Sequence, residues 1–292
     1  MKLGRHMPTG SRPAAAMSIA RSIGCDCAQI FVTNPRAWRP PAANPEQEMG
    51  FRQAAVSCGI TPVTVHATYL INLASAREDV YHNSVSLLTA TLDRAERFGA
   101  SSVVFHIGSH GGTGEEAGLE RLVKGLREVL DATPARVMLL LENDTGGGGK
   151  LGYRMENLAY VLDQIPQHAD RLGVCLDTCH LWGAGFDIGT DEGVNQILQD
   201  ADRIVGMARV PVVHLNDAFD ALGRHVDHHA RIGEGKIPRE GLRAFLRHPL
   251  VRHASVILET PIPEQRPGVH DWEAERARME CARELAGLDM PA

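Results

Sequence analysis

In the stretch Val137-Met138-Leu139-Leu140-Leu141-Glu142, a short apolar run leads directly into an acidic residue. A run of this length is typical of a buried β-strand. Similar runs recur along the chain, and segments with apolar residues at helical spacing follow them, for example residues 85–98 and 119–130. This alternation predicts parallel strands that are joined by helices.

Eight runs are predicted as strands, at residues 2–5, 27–32, 61–65, 102–105, 137–141, 172–176, 210–213 and 255–258. Eight such units predict an α/β protein with a (β/α)₈ TIM barrel, and a doubly wound open sheet is the alternative. No low-complexity linker divides the chain, so residues 1–292 are expected to form a single domain.

The composition is that of a globular protein, with 43% apolar and 23% charged residues among 292. No apolar run approaches the roughly 18 residues of a membrane span, and the first residues lack the apolar core of a signal peptide. We therefore expect a cytoplasmic, monomeric protein without a membrane partner. Six cysteines are too few for a disulfide scaffold and are expected to be small buried side chains.

Six consecutive predicted strands, the third to the eighth, each run into a residue type that binds metal ions: His66, His106, Glu142, Asp177, His214 and Glu259. These residues lie 35 to 45 positions apart, which is about one βα unit. All six side chains should therefore reach the C-terminal face of the barrel, where such folds build their active sites.

Three further candidates lie close to these in the sequence. His180 follows Asp177 by three residues, and Asp227 and His229 lie in a histidine-rich loop after His214. Acidic and imidazole groups that converge in this way require a compensating cation. Imidazole and carboxylate ligands fit Zn²⁺, with Mn²⁺ or Fe²⁺ as alternatives, and nine ligands suit three ions.

Six motifs carry a resemblance to a known family: 104–110 (VFHIGSH), 141–143 (LEN), 173–180 (GVCLDTCH), 214–217 (HLND), 226–235 (VDHHARIGEG) and 257–260 (ILET). In this order and spacing, they resemble the endonuclease IV family of apurinic/apyrimidinic (AP) endonucleases, over residues 2–263. The resemblance implies a TIM barrel with three zinc ions, one of which could be replaced by Mn²⁺.

The resemblance also implies how the nine ligands are divided. The first ion would be bound by His66, His106 and Glu142, and Glu142 would bridge to a second ion bound by Asp177, His214 and Glu259. The third ion would be bound by His180, Asp227 and His229. Arg36 and Tyr69 match the family's side chains that enter the DNA at the lesion.

Two stretches depart from the family pattern. Residues 7–13 replace a small, glycine-rich first loop, and Ala218-Phe219 stands where the family tends to place a lysine or serine. The loss of a cation there would weaken phosphate binding.

The implied activity is hydrolysis of the phosphodiester bond 5′ to an abasic site in double-stranded DNA, through attack by a hydroxide that zinc activates. Glu142 and Glu259 would be the catalytic carboxylates. The products would be a 3′-hydroxyl and a 5′-deoxyribose phosphate, and a 3′-phosphodiesterase side activity is expected.

Two other functions account for part of this pattern. A sugar isomerase would bind one Mn²⁺ or Mg²⁺ through Glu142, Asp177, His214 and Glu259, but it would leave the other five candidates unexplained. A DNA-binding protein with structural zinc would need no turnover. The net charge of −6 argues by itself against a nucleic-acid partner, but three Zn²⁺ ions would offset it.

Overall fold

The fold is built on eight parallel strands that close into a barrel. The computed structural model describes residues 1–134 and 136–291. The barrel strands are β1 Lys2–Met7, β2 Cys27–Ile30, β3 Val63–His66, β4 Ser102–His106, β5 Met138–Glu142, β6 Leu172–Asp177, β7 Val212–His214 and β8 Ser255–Leu258. Because β1 pairs with both β2 and β8, the sheet is closed. The predicted TIM barrel is confirmed, and the open sheet is wrong.

Helices surround the barrel on the outside. They are α1 Pro13–Ser22, α2 Pro45–Ser57, α3 Glu78–Arg97, α4 Glu115–Ala132, α5 Met155–Asp163, α6 Thr178–Ala184, α7 Asp191–Ile204, α8 Arg239–Arg247 and α9 Trp272–Ala286. Each longer helix packs an apolar stripe on the sheet, as α4 does with Leu122, Leu126 and Val129. None of the helices in the described part of the chain has the length and apolarity needed to cross a membrane.

An apolar cluster that is separate from the layer between the helices and the sheet fills the interior of the barrel. It consists of six buried side chains from six strands: Cys27, Val104, Leu140, Cys175, Val212 and Ile257. Cys25 and Cys179 are also buried, whereas Cys58 and Cys281 are partly exposed, and all six cysteines are free thiols. The cysteines of the barrel thus act as small apolar side chains, as expected.

The period of a β-strand decides what lies above this cluster. Residues two positions apart point to the same side of a strand. Each residue two positions beyond an interior residue therefore also points into the barrel, one layer closer to its C-terminal mouth. In β4, β5 and β6 this second layer consists of His106, Glu142 and Asp177.

Loops at the mouth contain two short antiparallel hairpins. One pairs Asp217–Ala218 with His229–Ala230, and the other pairs Glu264–Arg266 with Val269–His270. The first hairpin brings the histidine-rich loop back over the end of the barrel.

Candidate metal centre

The nine candidate ligands converge at the C-terminal mouth of the barrel. The structure contains four groups of residues that could hold a metal ion, and within each group the ligand atoms lie within 4.8 Å of one another. Three of these groups repeat the division that the resemblance implies. Those three are His66 with His106 and Glu142; Glu142 with Asp177, His214 and Glu259; and His180 with Asp227 and His229. The sequence-based site residues are thus brought together, although their ligand role stays a prediction.

Glu142 lies at the centre of the cluster and is completely buried. One carboxylate oxygen, Oε2, is 3.3 Å from both His66 Nε2 and His106 Nδ1. The other oxygen, Oε1, is 2.8 Å from His214 Nδ1. Because each oxygen faces a different group of imidazoles, the position of Glu142 suits a ligand shared by two ions.

The third group depends on a helix start and a hairpin. Asp177 caps α6 by accepting a hydrogen bond from the His180 amide at 3.1 Å, which fixes His180 beside the barrel. The His180 Nε2 atom then lies 3.2 Å from Asp227 Oδ2, and His229 Nε2 lies 3.0 Å from Asp227 Oδ1. Strand spacing could not place Asp227 here, because the loop between the hairpin strands carries it.

Asp217 fixes the segment that follows the second hairpin strand. Its buried carboxylate accepts hydrogen bonds from the amides of Gly233, Gly235 and Ile237 at 3.0 to 3.1 Å. Gly235 packs so closely that a Cβ atom would overlap the Asp217 carboxylate. These bonds anchor the chain directly after the hairpin that carries His229.

The five imidazoles present one nitrogen each to the cluster, and three hold the other nitrogen in a hydrogen bond. His66 Nδ1 bonds the Ala67 carbonyl, and His180 Nδ1 bonds the Asn143 carbonyl, both at 2.7 Å. His214 Nε2 lies 2.9 Å from Gln29 Oε1. Imidazoles that bind metal ions are commonly oriented in this way by their second nitrogen.

Three of the nitrogens that face the cluster lie 3.0 to 3.3 Å from a carboxylate oxygen but form no hydrogen bond of acceptable angle. These buried atoms are His106 Nδ1, His180 Nε2 and His229 Nε2. A buried polar atom without a partner costs about 1–3 kcal/mol, so such atoms indicate that the site is built for a ligand. Together with four carboxylates, the donor set fits divalent ions such as Zn²⁺.

The charges at the site perturb one another strongly. Burial alone would raise the pKa of Glu142, but the imidazoles of His106 and His214 outweigh it and hold the pKa well below its usual value. Burial likewise opposes the charge on His229, yet Asp177 and Asp227 raise its pKa to about 9. Protons on His66, His180, His214 and His229, whose pKa values are raised, therefore balance the carboxylates when no metal is bound, whereas burial lowers the pKa of His106.

Cys179 is close to Asp177 and His229 but differs from the predicted ligands. Burial raises the pKa of its thiol far above the usual value, and its Sγ donates toward the His228 carbonyl at 3.7 Å. A protonated thiol is a poor ligand. Cys179 is therefore not included among the predicted ligands.

Three amide side chains support the ligands, and the sequence analysis missed them. Asn143 Oδ1 accepts from the Asp177 amide at 2.6 Å, and Asn216 Nδ2 donates to Asp177 Oδ2 at 2.6 Å. Gln29 in β2 contacts His214 and Glu259. Asn143 and Asn216 follow the strand-end ligands Glu142 and His214 within two residues, and this signal could have revealed them, whereas Gln29 lies inside its strand and carries no such signal.

A cavity of about 910 Å³ opens above the cluster. Its lining includes His66, Glu259, Tyr69 and Phe219, and the last two are 59% and 70% exposed. The ring of Tyr69 lies 5.7 Å from that of His66 and thus stands directly beside the predicted ligands. Tyr69 is therefore at the mouth, where the sequence predicted it.

Arg36 lies farther from the cluster, on the exposed loop after β2. Its loop is joined to that of Tyr69, because the Tyr69 amide donates to the Pro35 carbonyl at 3.3 Å. Arg36 is not among the residues that line the cavity. The structure therefore places the two predicted DNA contacts on adjoining loops, one at the cavity and one beyond it.

Comparisons with known proteins agree with this arrangement. The family model described as a xylose isomerase-like TIM barrel matches residues 17–282. A protein named probable endonuclease 4 from Methanoculleus marisnigri is 39% identical over 286 residues, which are 98% of this chain and 99% of that protein. The crystal structure of endonuclease IV from Thermus thermophilus is 37% identical with a TM-score of 0.84, and the match covers 98% of this chain and 99% of that one.

A more distant likeness concerns the fold alone. D-psicose 3-epimerase from Clostridium cellulolyticum has a TM-score of 0.71 at 17% identity, over 98% of this chain and 99% of its own. At that identity, only the barrel is shared. It gives the isomerase alternative no support beyond architecture.

Proposed function

Because the chain belongs to the endonuclease IV family of xylose isomerase-like TIM barrels, we propose that it cleaves double-stranded DNA at abasic sites. The bond cut is the phosphodiester 5′ to the lesion, which leaves a 3′-hydroxyl and a 5′-deoxyribose phosphate. A related activity removes blocked 3′ ends. The observation that carries this proposal is the convergence of nine ligand side chains in three groups below an open cavity.

The proposed metal content is three Zn²⁺ ions, with Mn²⁺ as an alternative at one position. The residues that would hold them are His66, His106, Glu142, Asp177, His180, His214, Asp227, His229 and Glu259. When bound, these ions would supply an activated water and would neutralise negative charge on the phosphate. The unpartnered imidazole nitrogens and the shared position of Glu142 support this assignment.

The two catalytic carboxylates have different surroundings. Glu142 is completely buried among imidazoles, so its part is to hold the cluster together. Glu259 is 15% exposed and lines the cavity, so it can reach a bound phosphate and orient the attacking water. Asn216 fixes Glu259 by accepting from its backbone amide at 3.0 Å. This division of labour is typical of preorganised hydrolytic sites.

Recognition of the lesion would come from the rim of the cavity. An abasic nucleotide has no base to unstack, so turning it out of the duplex costs less than turning out an intact one. Tyr69 and Phe219 are exposed aromatic side chains at this rim, where they can stack on neighbouring bases. Arg36, on the adjoining loop, would enter the duplex or contact its backbone.

The proposed active unit is one chain that acts as a single domain, because β3 to β8 of the same chain supply the strand-end ligands. The sugar isomerase alternative needs only the group around Glu142, Asp177, His214 and Glu259. It leaves the buried nitrogens of His106, His180 and His229 that face the cluster without a role.

The test combines metal analysis with a cleavage assay. Zinc-loaded protein should contain close to three ions per chain. It should cut a duplex that carries one tetrahydrofuran abasic analogue, and the cut should lie on the 5′ side of that analogue. The same duplex with an intact nucleotide at that position is the control and should stay uncut. One ion per chain and no cleavage after zinc loading would contradict the proposal, and turnover of a ketose under those conditions would favour the isomerase.

A further inference from the structure

Gln29 lies at the bottom of the candidate metal centre and touches three functional side chains. It points inward from β2, two positions after the interior residue Cys27, and its side chain has no exposed surface. Gln29 Oε1 is 2.9 Å from His214 Nε2, and Gln29 Nε2 is 2.5 Å from Glu259 Oε1. The same nitrogen is 3.0 Å from His6 Nδ1. One neutral amide therefore contacts side chains from β1, β7 and the end of β8.

The orientation of the amide group follows from the chemistry of its partners. An ionised carboxylate can only accept hydrogen bonds, so the NH₂ group of Gln29 must face Glu259. The carbonyl oxygen must then face His214, because a flipped amide would place two oxygen atoms against each other. This oxygen can only accept, so His214 must donate from Nε2.

The state of His214 follows in turn. Because Nε2 keeps its proton, Nδ1 is the nitrogen that would bind an ion, and without an ion Nδ1 also carries a proton toward the carboxylates that it faces. His214 Nδ1 is 2.8 Å from Glu142 Oε1 and 3.1 Å from Glu259 Oε2, so it faces the centre of the cluster. The amide thus selects the nitrogen that the proposed metal site uses.

The same reasoning reaches His6. Because the second hydrogen of the Gln29 NH₂ group points at His6 Nδ1, that nitrogen accepts, and the proton of a neutral His6 lies on Nε2. His6 lines the cavity and its ring lies 4.3 Å from that of Phe31.

We propose that Gln29 is a positioning residue that holds His214 in the Nε2-protonated tautomer and fixes the carboxylate of Glu259. This inference rests on the proposed metal site, whose ligands it serves. No other residue type of this size offers both an acceptor and two donors without a charge. A leucine would remove the hydrogen bonds that Gln29 makes to Glu259 Oε1, His6 Nδ1 and His214 Nε2, and a carboxylate would face Glu259 with like charge.

The principal test compares Gln29→Leu with the wild type and with a matched control, Thr64→Val. Thr64 lies beside Gln29 in the neighbouring strand, and its buried hydroxyl bonds only the Ser102 hydroxyl at 3.1 Å among the contacts described. Each zinc-free protein is titrated with zinc in competition with a chromophoric chelator. We expect about 10- to 100-fold weaker affinity for at least one ion in Gln29→Leu, and wild-type affinity in Thr64→Val.

A second measurement reads the tautomer directly. Protein with ¹⁵N-labelled histidine is loaded with zinc, and long-range ¹H–¹⁵N correlation spectra are recorded; the His214 signals are assigned by their loss in His214→Asn. In the wild type, we expect a protonated Nε2 and an unprotonated Nδ1 at His214. A proton on Nδ1 of the zinc-loaded protein would overturn the proposal.

The outcomes separate this proposal from the proposed function. Wild-type zinc affinity in Gln29→Leu would overturn the role of Gln29, whatever the activity. If the wild type binds zinc but does not cut abasic DNA, the proposed function fails, and the zinc titrations still decide the role of Gln29. If Gln29→Leu does not fold, the unbranched Gln29→Met is titrated instead and is judged by the same criterion.

Discussion

Replacement of Glu142 by glutamine is the sharpest test of the proposed cluster. The substitution keeps the size of the side chain and removes one negative charge at the centre of the site. Its two oxygens lie 3.3 Å from His66 and His106 and 2.8 Å from His214. No other candidate carboxylate is this close to three of the predicted imidazole ligands in the described residues.

The size of the effect follows from these distances. Opposite unit charges about 3.3 Å apart gain about 5 kcal/mol at an effective dielectric constant of 20. A loss of that size corresponds to roughly 5,000-fold in a rate or a binding constant. Because glutamine keeps a neutral oxygen ligand, we expect a decrease of roughly 100- to 5,000-fold in zinc affinity and in cleavage rate.

The assay uses Asp144→Asn as a matched control. Asp144 is a buried acid two residues farther along, and it pairs with Lys150 Nζ at 3.1 Å rather than with a ligand. Asparagine can still accept the bond from the Thr145 amide that Asp144 accepts at 2.6 Å. Zinc content, chelator competition and cleavage of the abasic duplex are measured for both variants, and thermal unfolding confirms that both are folded.

Two results would refute the reasoning. Glu142→Gln with wild-type zinc content and turnover would show that Glu142 is not a shared ligand. An equal loss of cleavage in Asp144→Asn would show that the effect arises from the loss of any buried acid in this segment.

Further predictions concern stability, protonation and DNA contacts. Arg5 and Glu275 form a buried ion pair between β1 and α9. Glu275→Gln leaves the arginine charge unpaired at a cost of about 3–5 kcal/mol and should lower the melting temperature by roughly 6 to 12 °C. A shift below about 3 °C would contradict a stabilising role of the ion pair. The pKa of His229 is raised to about 9, so the His229 imidazole of the zinc-free protein is protonated at pH 8. Zinc binding should release this proton, which an indicator dye in weak buffer would detect, and zinc affinity should fall further toward pH 6. Arg36→Ala should weaken binding to the abasic duplex and reduce the salt dependence by about one phosphate contact; an unchanged affinity would assign Arg36 to solvent. Phe219→Ala should weaken binding with an unchanged salt slope, because stacking involves no ion release, and a smaller slope would contradict a stacking role.

The barrel and the strand-end ligands could be predicted from the sequence because both depend on local periodicity. An apolar run marks a strand, and one βα unit separates His66 from His106 and Glu142 from Asp177. Parallel strands in a closed barrel end on the same face, so the spacing alone brings such residues together. The strand bounds differ by a few residues from those predicted, as at β1, which extends to Met7.

Residues that act across strands could not be predicted in the same way. Gln29 contacts His214 and Glu259, which are 185 and 230 positions away in the chain. The register of β2 in the barrel, rather than any motif, places the amide there. His225 is a similar case, because it bonds the Thr145 carbonyl at 2.6 Å, 80 positions away in the chain.

By itself, the sequence determined which strands form the barrel and which six strand-end side chains gather at its mouth, because periodic patterns report on local geometry; motifs next to these strand ends added His180, Asp227 and His229. Only the tertiary structure decided which nitrogen of each imidazole faces the cluster, how Glu142 divides its two oxygens, and that Gln29 orients His214. Those choices depend on hydrogen bonds between residues that are distant in sequence. They become defined only when the closed barrel fixes the positions of all its strands at once.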